Sequence, residues 1–286
     1  MTTTTVPVQR MQELVRPVRD LTRSRAFYCQ ALGLTEAAEP VLAGDDYRLL
    51  ADAWGAVPQH FLRLSFGRQT LLLAACEQPP QPPDAGADDP RFQHIALRTA
   101  DIDAAWRRLL AHGPVDAIGQ GGPQRLPAAS GGVTAVKFRD PDGHPLELLV
   151  PTGTGIVAGI DHSAITVSDA DASIAFYAER LGLRLQARQV NRGAEQARLD
   201  GLAAPVVEVV ALLPAAGSPH LELLGYRPAR PAAAAAAAGA GIGTGPRSTT
   251  VWRRVAGSAP ALVTDPDGHP HLLLPSSFSS APPDTP

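Results

Sequence analysis

The sequence has little of what marks several large classes of protein. Its two cysteines among 286 residues are too few for a disulfide framework, and neither lies in a spacing typical of zinc sites. The net charge of −3 comes without a basic stripe, so the electrostatic footprint of a nucleic-acid-binding protein is missing. No apolar run has the length of a signal peptide or a membrane span. These absences predict a soluble, cytoplasmic protein with no nucleic-acid or membrane partner.

The chain does have enough apolar material for one large or two ordinary domains. Hydrophobic residues make up 44% and charged residues 19% of the sequence, as in globular proteins. Proline-rich or glycine-rich stretches predict linkers at residues 77–90 and 151–159, and the Ala/Gly-rich residues 229–245 predict a linker or a frayed helix. Both ends, residues 1–10 and 276–286, are predicted to be disordered tails.

One short motif, DPDGH, occurs twice, beginning at Asp140 and at Asp265. Proline presets φ and glycine supplies the positive φ of a tight turn, so the motif predicts a hairpin. After the first turn, Leu146 and Leu148 share one strand face and Glu147 points to the other. A carboxylate between leucines on a strand indicates that its face meets a pocket.

A second pattern also repeats. Asp20 and Asp169 each precede a helical segment, and the same interval separates them from the Phe-Tyr pairs that begin at Phe27 and Phe176. Asp101 opens a related segment between them. Matched side chains at matched intervals indicate an internal repeat, which has to be recognised before any fold is assigned.

The repeat divides the chain into four units of a strand, a helix and further strands. We predict an α+β fold of tandem βαβββ modules in two domains, 11–150 and 158–275, with the fourth module truncated because its helix is missing. In the first unit, the short apolar runs at 47–51, 61–66 and 70–75 complete the predicted pattern. The four units, numbered one to four, are residues 11–78, 91–150, 158–226 and 246–275.

Such units resemble the vicinal oxygen chelate superfamily, which contains glyoxalase I, extradiol dioxygenases, and bleomycin- and fosfomycin-resistance proteins. The resemblance covers residues 11–275 and depends on the segments DHSAITVSDADASIAFYAERLGL, QHIALRTADIDAAW and FRDPDGHPLELL. It implies that each unit curls into a half-cup and that two units pair, which gives two half-barrel clefts. It also implies that metal ligands come from the first and last strands of the units.

Carried over position by position, the resemblance implies a metal site made by the middle units. Their first strands offer His94 and His162, each seven positions before the Asp that opens the helix, and their last strands offer Glu147 and Glu222. Two imidazoles and two carboxylates suit an octahedral or near-octahedral divalent ion such as Zn, Ni, Fe, Mn or Co.

The outer units lack a matching set, and this leaves two pairings of the units open. The corresponding positions hold Glu13, Leu72, Leu272 and either Thr249 or Thr250. If units two and three share a cleft, all four ligands meet. If consecutive units pair, one cleft holds Glu13, His94 and Glu147, and the other keeps only His162 and Glu222. The retained ligands favour the middle pairing, and the short linker permits both.

The resemblance implies a metal-dependent enzyme that acts on a small oxygenated substrate. A metal-stabilised enolate, with Glu147 or Glu222 as general base, would give isomerase, lyase or epimerase chemistry. Dioxygenase chemistry would instead need Fe(II) and suits a three-ligand set. The alternative is a metal-free, drug-binding resistance protein, against which the aromatic content of 5% counts. Whether a homodimer completes the cleft stays open.

Two loops supply candidate substrate contacts. Arg125 lies in the glycine-rich residues 119–132, next to the hairpin that carries Glu147. Arg192 and Gln196 hold a similar position in the third unit.

The other histidines of the strands and hairpins are interpreted as structural. His144 and His269 read as polar turn residues, and His220 and His271 are predicted to face away from the ligand positions.

Overall fold

The computed structural model describes residues 7–38, 45–77, 85–228, 248–254 and 259–275. Unit one begins earlier than predicted, because Val8, Gln9 and Arg10 belong to its first strand and not to a disordered tail. Residues 1–6, 276–286 and the Ala/Gly-rich stretch 229–245 lie outside the described part. Unit one contains β1 (Val8–Val18), α1 (Leu21–Ala26) with a π-helical turn (Phe27–Ala31), β2 (Thr35–Glu36), α2 (Asp45–Trp54), β3 (His60–Phe66) and β4 (Gln69–Ala75).

Units two and three each hold a complete set of strands. Unit two contains β5 (Gln93–Arg98), α3 (Ile102–His112), β6 (Gln124–Arg125), a 3₁₀ turn (Ala128–Ser130), β7 (Thr134–Arg139) and β8 (Pro145–Val150). Unit three contains β9 (Gly159–Thr166), α4 (Ala170–Leu181), β10 (Arg184–Arg192), α5 (Ala194–Asp200), β11 (Val206–Leu213) and β12 (His220–Arg227).

Unit four is short. Its described residues form β13 (Thr249–Arg254), β14 (Ala261–Thr264) and β15 (Pro270–Leu274), with no helix among them. Across the described chain, no helix is both long and apolar enough to cross a membrane.

The predicted helix starts are confirmed. Asp20, Asp101 and Asp169 are the N-caps of α1, α3 and α4, and their carboxylates accept hydrogen bonds from backbone N–H groups of the first turn. Helix α4 ends at Gly182, whose φ of +69° is the left-handed conformation that favours glycine.

One element of unit one was predicted wrongly. The apolar run at 47–51, taken as part of the strand pattern, lies inside helix α2. Tyr47, Leu50 and Trp54 recur at helical spacing and pack into one cluster, with Leu50 and Trp54 fully buried. A five-residue apolar run does not by itself separate a strand from a buried helix.

The strands form two sheets, and each sheet joins two units. The middle-unit sheet has the order β10-β11-β12-β9-β5-β8-β7-β6, and β5 and β9 are antiparallel neighbours at its centre. The outer-unit sheet has the order β14-β15-β13-β1-β4-β3-β2, with β1 and β13 antiparallel at its centre. The α+β fold of curled sheets is confirmed, and units two and three are the ones that share a sheet. The domain bounds 11–150 and 158–275 stay a prediction, since each stretch contributes one unit to each sheet.

The first DPDGH turn connects consecutive units across the two sheets. Asp140 Oδ1 accepts the backbone N–H of Asp142 and of His144, each at 2.9 Å, which closes the turn. Its Oδ2 accepts the hydroxyl of Tyr28, in unit one, at 2.6 Å. Gly143 has the positive φ, +90°, that the motif predicted. We call this contact the Asp140 clamp.

The second turn repeats the contact between units four and three. Asp265 Oδ1 accepts the N–H of Asp267 at 3.0 Å and of His269 at 2.7 Å, and Oδ2 accepts the hydroxyl of Tyr177 at 2.8 Å. We call it the Asp265 clamp. Units therefore pair within sheets as two with three and one with four, and are clamped as one with two and three with four.

The turn histidines are anchors and not exposed polar residues. His144 is fully buried, with Nε2 2.6 Å from the carbonyl oxygen of Pro17. His269 is 2% exposed, with Nε2 3.3 Å from the carbonyl oxygen of Thr166. The prediction of turn polarity was wrong because the turns face the neighbouring unit instead of solvent. The largest apolar cluster contains residues of both sheets, such as Leu14 and Leu146.

Candidate functional site

The four predicted ligands lie on four adjacent strands at the centre of the middle-unit sheet. Across this sheet, Ala96 of β5 is paired with Glu147 of β8 on one side and with His162 of β9 on the other. Ala164 of β9 is likewise paired with His94 and with Glu222. The alternation of side chains along a strand places all four ligands on the same concave face.

The distances show that the side chains converge. His94 Nε2 lies 2.8 Å from Glu147 Oε2, and His162 Nε2 lies 3.7 Å from the same oxygen. His162 Nε2 is 3.4 Å from Glu222 Oε2. One donor atom each from His94, Glu147 and His162 can be chosen so that all three lie within 4.8 Å of one another. Glu222 joins this group through His162.

The histidine nitrogens that face the carboxylates have no hydrogen-bond partner among the described residues. This holds for Nε2 of His94 and of His162, both of which are buried. His94 Nε2 is close to Glu147, but the two atoms are not aligned for a hydrogen bond. Buried polar atoms are normally paired. Convergent lone pairs without hydrogen bonds suit a shared cation, so the donor set fits the divalent ion that a vicinal oxygen chelate site implies.

A neighbouring carboxylate sets the orientation of His162. Its Nδ1 lies 3.0 Å from Asp161 Oδ2, and only a protonated nitrogen can donate to a carboxylate. In the neutral ring, the Nε2 lone pair then faces Glu147 and Glu222. A carboxylate on the far nitrogen of a metal-binding histidine is a common support for such sites, because it fixes the tautomer and the ring plane.

The pKa values reflect how strongly these groups interact. Burial alone raises the pKa of Glu147, but the imidazoles of His162 and His94 and the ammonium of Lys137 outweigh it and hold that pKa well below its usual range. Burial lowers the pKa of His94, and Glu147 only partly offsets this. For His162, burial is outweighed by Glu222, Asp161 and Glu147, so its pKa lies well above the ordinary value. Glu147 is therefore a carboxylate at neutral pH.

His220 belongs to the same cluster, contrary to the sequence interpretation. Its Nε2 is 3.4 Å from Glu222 Oε1, and its ring centroid is 5.2 Å from that of His162. Residues two apart on a strand share a face, so His220 lies on the same face of β12 as Glu222. His271 of β15 does differ: it lies in the Asp265 clamp, with Nε2 2.8 Å from the hydroxyl of Tyr177.

The ligands line a cleft, which we call the open cleft. It encloses about 800 Å³ of empty space, part of it open to solvent. Part of its wall is apolar, formed by Leu126, Val133, Leu149, Leu199, Val209 and Leu224. Its other polar residues include Lys137, Gln196 and Tyr226.

Of the three predicted substrate contacts, one lies in the cleft. Gln196 is 4% exposed and lines it. Arg125 and Arg192 are exposed and lie outside its lining, which instead contains their neighbours Leu126 and Asn191. Side chains alternate between the two faces of a strand, and the cleft lies on the face of β6 and β10 opposite to the two arginines. The arginines therefore face solvent.

The sequence analysis missed a polar group on the cleft wall. Lys137 Nζ lies 2.7 Å from Asp200 Oδ1, and Tyr226 donates its hydroxyl to Asp200 Oδ2 at 3.0 Å. Lys137 could have been found from the hairpin, because it is paired directly with Glu147 across β7 and β8. Asp200 and Tyr226 come from separate elements, so no local signal connects them to the site.

The corresponding face of the outer-unit sheet is filled, and we call it the filled cleft. Leu72, Leu272 and Val251 are fully buried there in a cluster with Leu50 and Trp54 of α2. The indole Nε1 of Trp54 donates to Thr249 Oγ1 at 3.0 Å.

Glu13, the remaining candidate of the outer units, belongs to this second face. It is 2% exposed, and its Oε1 lies 2.8 Å from Arg63 Nε. Burial raises its pKa, although Arg63 and Thr70 act in the other direction. Glu13 therefore lies on a different sheet from His94 and Glu147.

Comparison with known proteins shows which family this architecture is found in. The family model described as "Glyoxalase/Bleomycin resistance protein/Dioxygenase superfamily" matches residues 10–148 and 159–243. No curated protein matches the chain in sequence.

Two solved structures have a similar fold over most of their length. Glyoxalase I from Zea mays shares 16% identity at a TM-score of 0.55, covering 92% of this chain and 91% of that one. A putative dioxygenase from Bacillus subtilis shares 12% identity at a TM-score of 0.55, covering 95% and 86%. Identities this low show a common fold only.

Proposed function

The chain belongs to the glyoxalase/bleomycin resistance protein/dioxygenase superfamily, and on this premise we propose that it is a metal-dependent enzyme whose small oxygenated substrate binds in the open cleft. The observation that carries the proposal is the pair of buried imidazole nitrogens, on His94 and His162, that converge on Glu147 without hydrogen bonds. In this proposal His94, Glu147, His162 and Glu222 hold one divalent ion of the Zn, Ni, Fe, Mn or Co type.

When bound, the ion supplies Lewis acidity that stabilises negative charge on a substrate oxygen. The protein supplies orientation and proton transfer. Asp161 keeps the proton of His162 on Nδ1, so that Nε2 stays available. The apolar wall excludes water, which strengthens electrostatic interactions inside the cleft.

Glu222 is the carboxylate that we assign to proton transfer. Its side chain is 20% exposed, against 9% for Glu147, and its Oε1 faces His220 while Oε2 faces His162. Glu147 is held from two sides by imidazoles and keeps a strongly lowered pKa, so it accepts a proton poorly. Removal of a proton from the carbon next to a carbonyl can then lead to three outcomes. Its return to a neighbouring atom is isomerisation, its return to the other face of the same carbon is epimerisation, and departure of a leaving group from the adjacent carbon is a lyase reaction.

Dioxygenase chemistry is the second candidate, and a specific observation favours it. His94, Glu147 and His162, which are two imidazoles and one carboxylate, form one of two groups of three donors that lie within 4.8 Å of one another. That composition is typical of non-haem Fe(II) oxygenases with open coordination positions. Glu222→Ala separates the two: proton transfer to and from carbon is lost, whereas oxygen consumption with an iron-loaded protein is retained.

Elemental analysis tests whether the site binds metal. We expect about one divalent ion per chain in the wild type, and at least about 100-fold weaker binding in Glu147→Ala, since loss of a supporting residue alone costs 10- to 100-fold. Glu13→Gln is the matched control, because it removes a buried carboxylate from the filled cleft and should leave the metal content unchanged.

Absence of metal from the wild type after incubation with each of the five ions would contradict the enzyme proposal. It would favour the metal-free small-molecule-binding protein of the same superfamily. Metal retained in Glu147→Ala would show that the ion is bound elsewhere. Equal metal loss in Glu147→Ala and Glu13→Gln would indicate that both variants are misfolded, which circular dichroism tests.

A further inference from the structure

One wall of the open cleft contains a buried carboxylate with three hydrogen-bond donors from three elements. Asp200 Oδ1 lies 2.7 Å from the ammonium of Lys137 on β7. Asp200 Oδ2 accepts the amide of Gln196 on α5 at 2.7 Å and the hydroxyl of Tyr226 on β12 at 3.0 Å. The network joins unit two to unit three, since Lys137 comes from one and its partners from the other.

Outside the metal site, the network leaves the cleft without a free positive charge for an anionic substrate. Among the described residues that line the cleft, Lys137 is the only lysine or arginine. Asp200 neutralises the charge of Lys137 at hydrogen-bond distance, and Glu147 and Glu222 are the other acidic neighbours of Lys137. A carboxylate or phosphate on the substrate would have to displace Asp200 or lie unpaired beside it, which is strongly unfavourable in a buried site.

The same network offers both halves of a hydrogen-bonding site for a hydroxyl group. The Oε1 atom of Gln196 is buried in the cleft wall and accepts no hydrogen bond from the described residues. The bond to Asp200 uses one of the three N–H donors of Lys137. A hydroxyl donates one hydrogen bond and accepts another, so it can satisfy Gln196 and Lys137 together, whereas a carboxylate cannot donate to Gln196.

We propose that the substrate is uncharged where it meets the Lys137–Asp200 wall of the cleft and carries a hydroxyl group there, bound between Gln196 Oε1 and Lys137 Nζ. The inference rests on the proposed function, because the vicinal oxygens of the substrate are assigned to the metal ligands. Gln196 and Lys137 are then specificity-determining residues, and Asp200 is the positioning residue that holds both and cancels the charge of Lys137.

Three probes that differ at one substituent test this assignment on the metal-loaded full chain. All are catechols, which present two vicinal oxygens: 3,4-dihydroxybenzyl alcohol has a neutral hydroxyl, 3,4-dihydroxybenzoate a carboxylate, and 4-methylcatechol neither. Isothermal titration should rank the alcohol about 3- to 10-fold tighter than 4-methylcatechol, the contribution of a net hydrogen bond. It should rank the alcohol at least about tenfold tighter than the benzoate.

Two variants identify the residues responsible. Gln196→Met should abolish the advantage of the alcohol over 4-methylcatechol and leave 4-methylcatechol binding within about twofold, since 4-methylcatechol has no hydroxyl for Gln196 to bind there. The bond from Gln196 to Asp200 is lost as well, but Lys137 and Tyr226 still donate to Asp200. Asp200→Asn should release Lys137 and shift the ratio of alcohol to benzoate affinity toward the benzoate by about tenfold or more. Arg125→Gln and Arg192→Gln are controls that change exposed charges outside the cleft and should change no ratio.

The wild-type ranking is decisive even if a variant fails to fold. Benzoate binding as tight as or tighter than alcohol binding overturns the inference, and so does failure of all three probes to bind. A benzoate affinity that falls in Arg125→Gln or Arg192→Gln would also overturn it, because the loop arginines would then recognise an anionic group. Elemental analysis of the same samples reports separately on the proposed function, so metal-containing protein with the wrong ranking contradicts the substrate assignment alone.

Discussion

The two clefts of this protein have equivalent strands and opposite contents. The open cleft between units two and three keeps two histidines and two glutamates on its four central strands, whereas the filled cleft has Leu72 and Leu272 at the two glutamate positions. Each cleft also receives a helix inserted between strands of one unit. In the open cleft this is α5, which contributes Gln196 and Leu199 to the wall. In the filled cleft it is α2, whose Leu50 and Trp54 occupy the space.

The clamps, by contrast, are kept in both halves of the chain. Equivalent aspartate, tyrosine and turn histidine residues meet in the Asp140 clamp and in the Asp265 clamp, although only one of the two hairpins carries a candidate ligand. A motif that is kept where the candidate ligands are replaced by leucine serves the fold. The comparison therefore separates structural residues from candidate catalytic ones without any second sequence.

The largest effect on stability is expected when the filled cleft is emptied, which would remove one difference between the two clefts. Trp54 is fully buried, and Trp54→Ala should lower the free energy of unfolding by about 3–5 kcal/mol, the usual cost of truncating a buried tryptophan. Metal content should stay at the wild-type value, because the ligands lie on the other sheet. Urea unfolding and elemental analysis measure the two quantities. Loss of metal from a folded Trp54→Ala protein would show that the clefts are coupled.

The free energy of unfolding, measured over a range of pH, should report on His271 in the Asp265 clamp. Trp252 Nε1 donates to His271 Nδ1 at 3.1 Å, so the neutral ring donates from Nε2 to Tyr177, which in turn donates to Asp265. Burial lowers the pKa of His271 to about 4, and Asp265 only partly offsets this. Between an unfolded value of about 6.5 and that folded value, only the unfolded chain takes up this proton, so stability falls as the pH falls.

The change that isolates this histidine is His271→Gln. A histidine that is protonated only in the unfolded chain contributes a slope of about 1.4 kcal/mol per pH unit to the free energy of unfolding. The variant should lose this slope between pH 6.5 and about pH 4. Urea titrations of both proteins at several pH values give the two curves. Curves that run parallel over this range would contradict a neutral buried His271.

The two clamps can be compared directly by removing one hydroxyl from each. Tyr28→Phe and Tyr177→Phe should each destabilise the protein by about 1–3 kcal/mol, since each leaves a buried carboxylate oxygen with one donor fewer. Tyr177→Phe should be the more destabilising, because His271 Nε2 also loses its partner, whereas Asp140 keeps Arg16 at 3.6 Å. Thermal unfolding of the two variants under identical conditions checks the order. A reversed order would mean that Arg16 depends on Tyr28 more than His271 depends on Tyr177.

The smallest expected effect concerns the edge of the open cleft. His220 faces Glu222 Oε1 and groups with Asp161 and His162 instead of with His94 and Glu147, so His220→Gln should weaken metal binding by about tenfold, the lower end for supporting residues. Competition with a chromophoric chelator measures the affinity. His60→Gln, on an exposed residue of the outer-unit sheet, should leave it unchanged. A loss as large as that of Glu147→Ala would make His220 a ligand.

Local signals in the sequence were sufficient for much of the fold. The helix caps Asp20, Asp101 and Asp169 and the two glycine turns were correctly placed, because capping and turn chemistry act over a few residues. Strand β10 was missed, since its residues are mostly exposed and polar and lack the alternation of a half-buried strand. Helix α5 followed it and was missed for the same lack of pattern.

In the candidate site, too, some residues could be predicted from the sequence and others could not. The family resemblance, carried over along the matched intervals of the repeat, singled out His94, His162, Glu147 and Glu222, and the structure brings these four together. Gln196 was found from its loop, but its role depends on Asp200. The network of Lys137, Asp200 and Tyr226 could not be predicted, because its members are distant in sequence and no short-range pattern marks them.

The sequence by itself determined the repeated unit and the side chains that each unit presents, since both follow from spacing along the chain. Only the tertiary structure decided which units share a cleft and which are clamped. That choice is made by two long-range strand pairs, β5 with β9 and β1 with β13, and by helix α2 covering one of the resulting faces. Contacts between strands far apart in the chain depend on burial of whole faces, and no local pattern of residues encodes their partner.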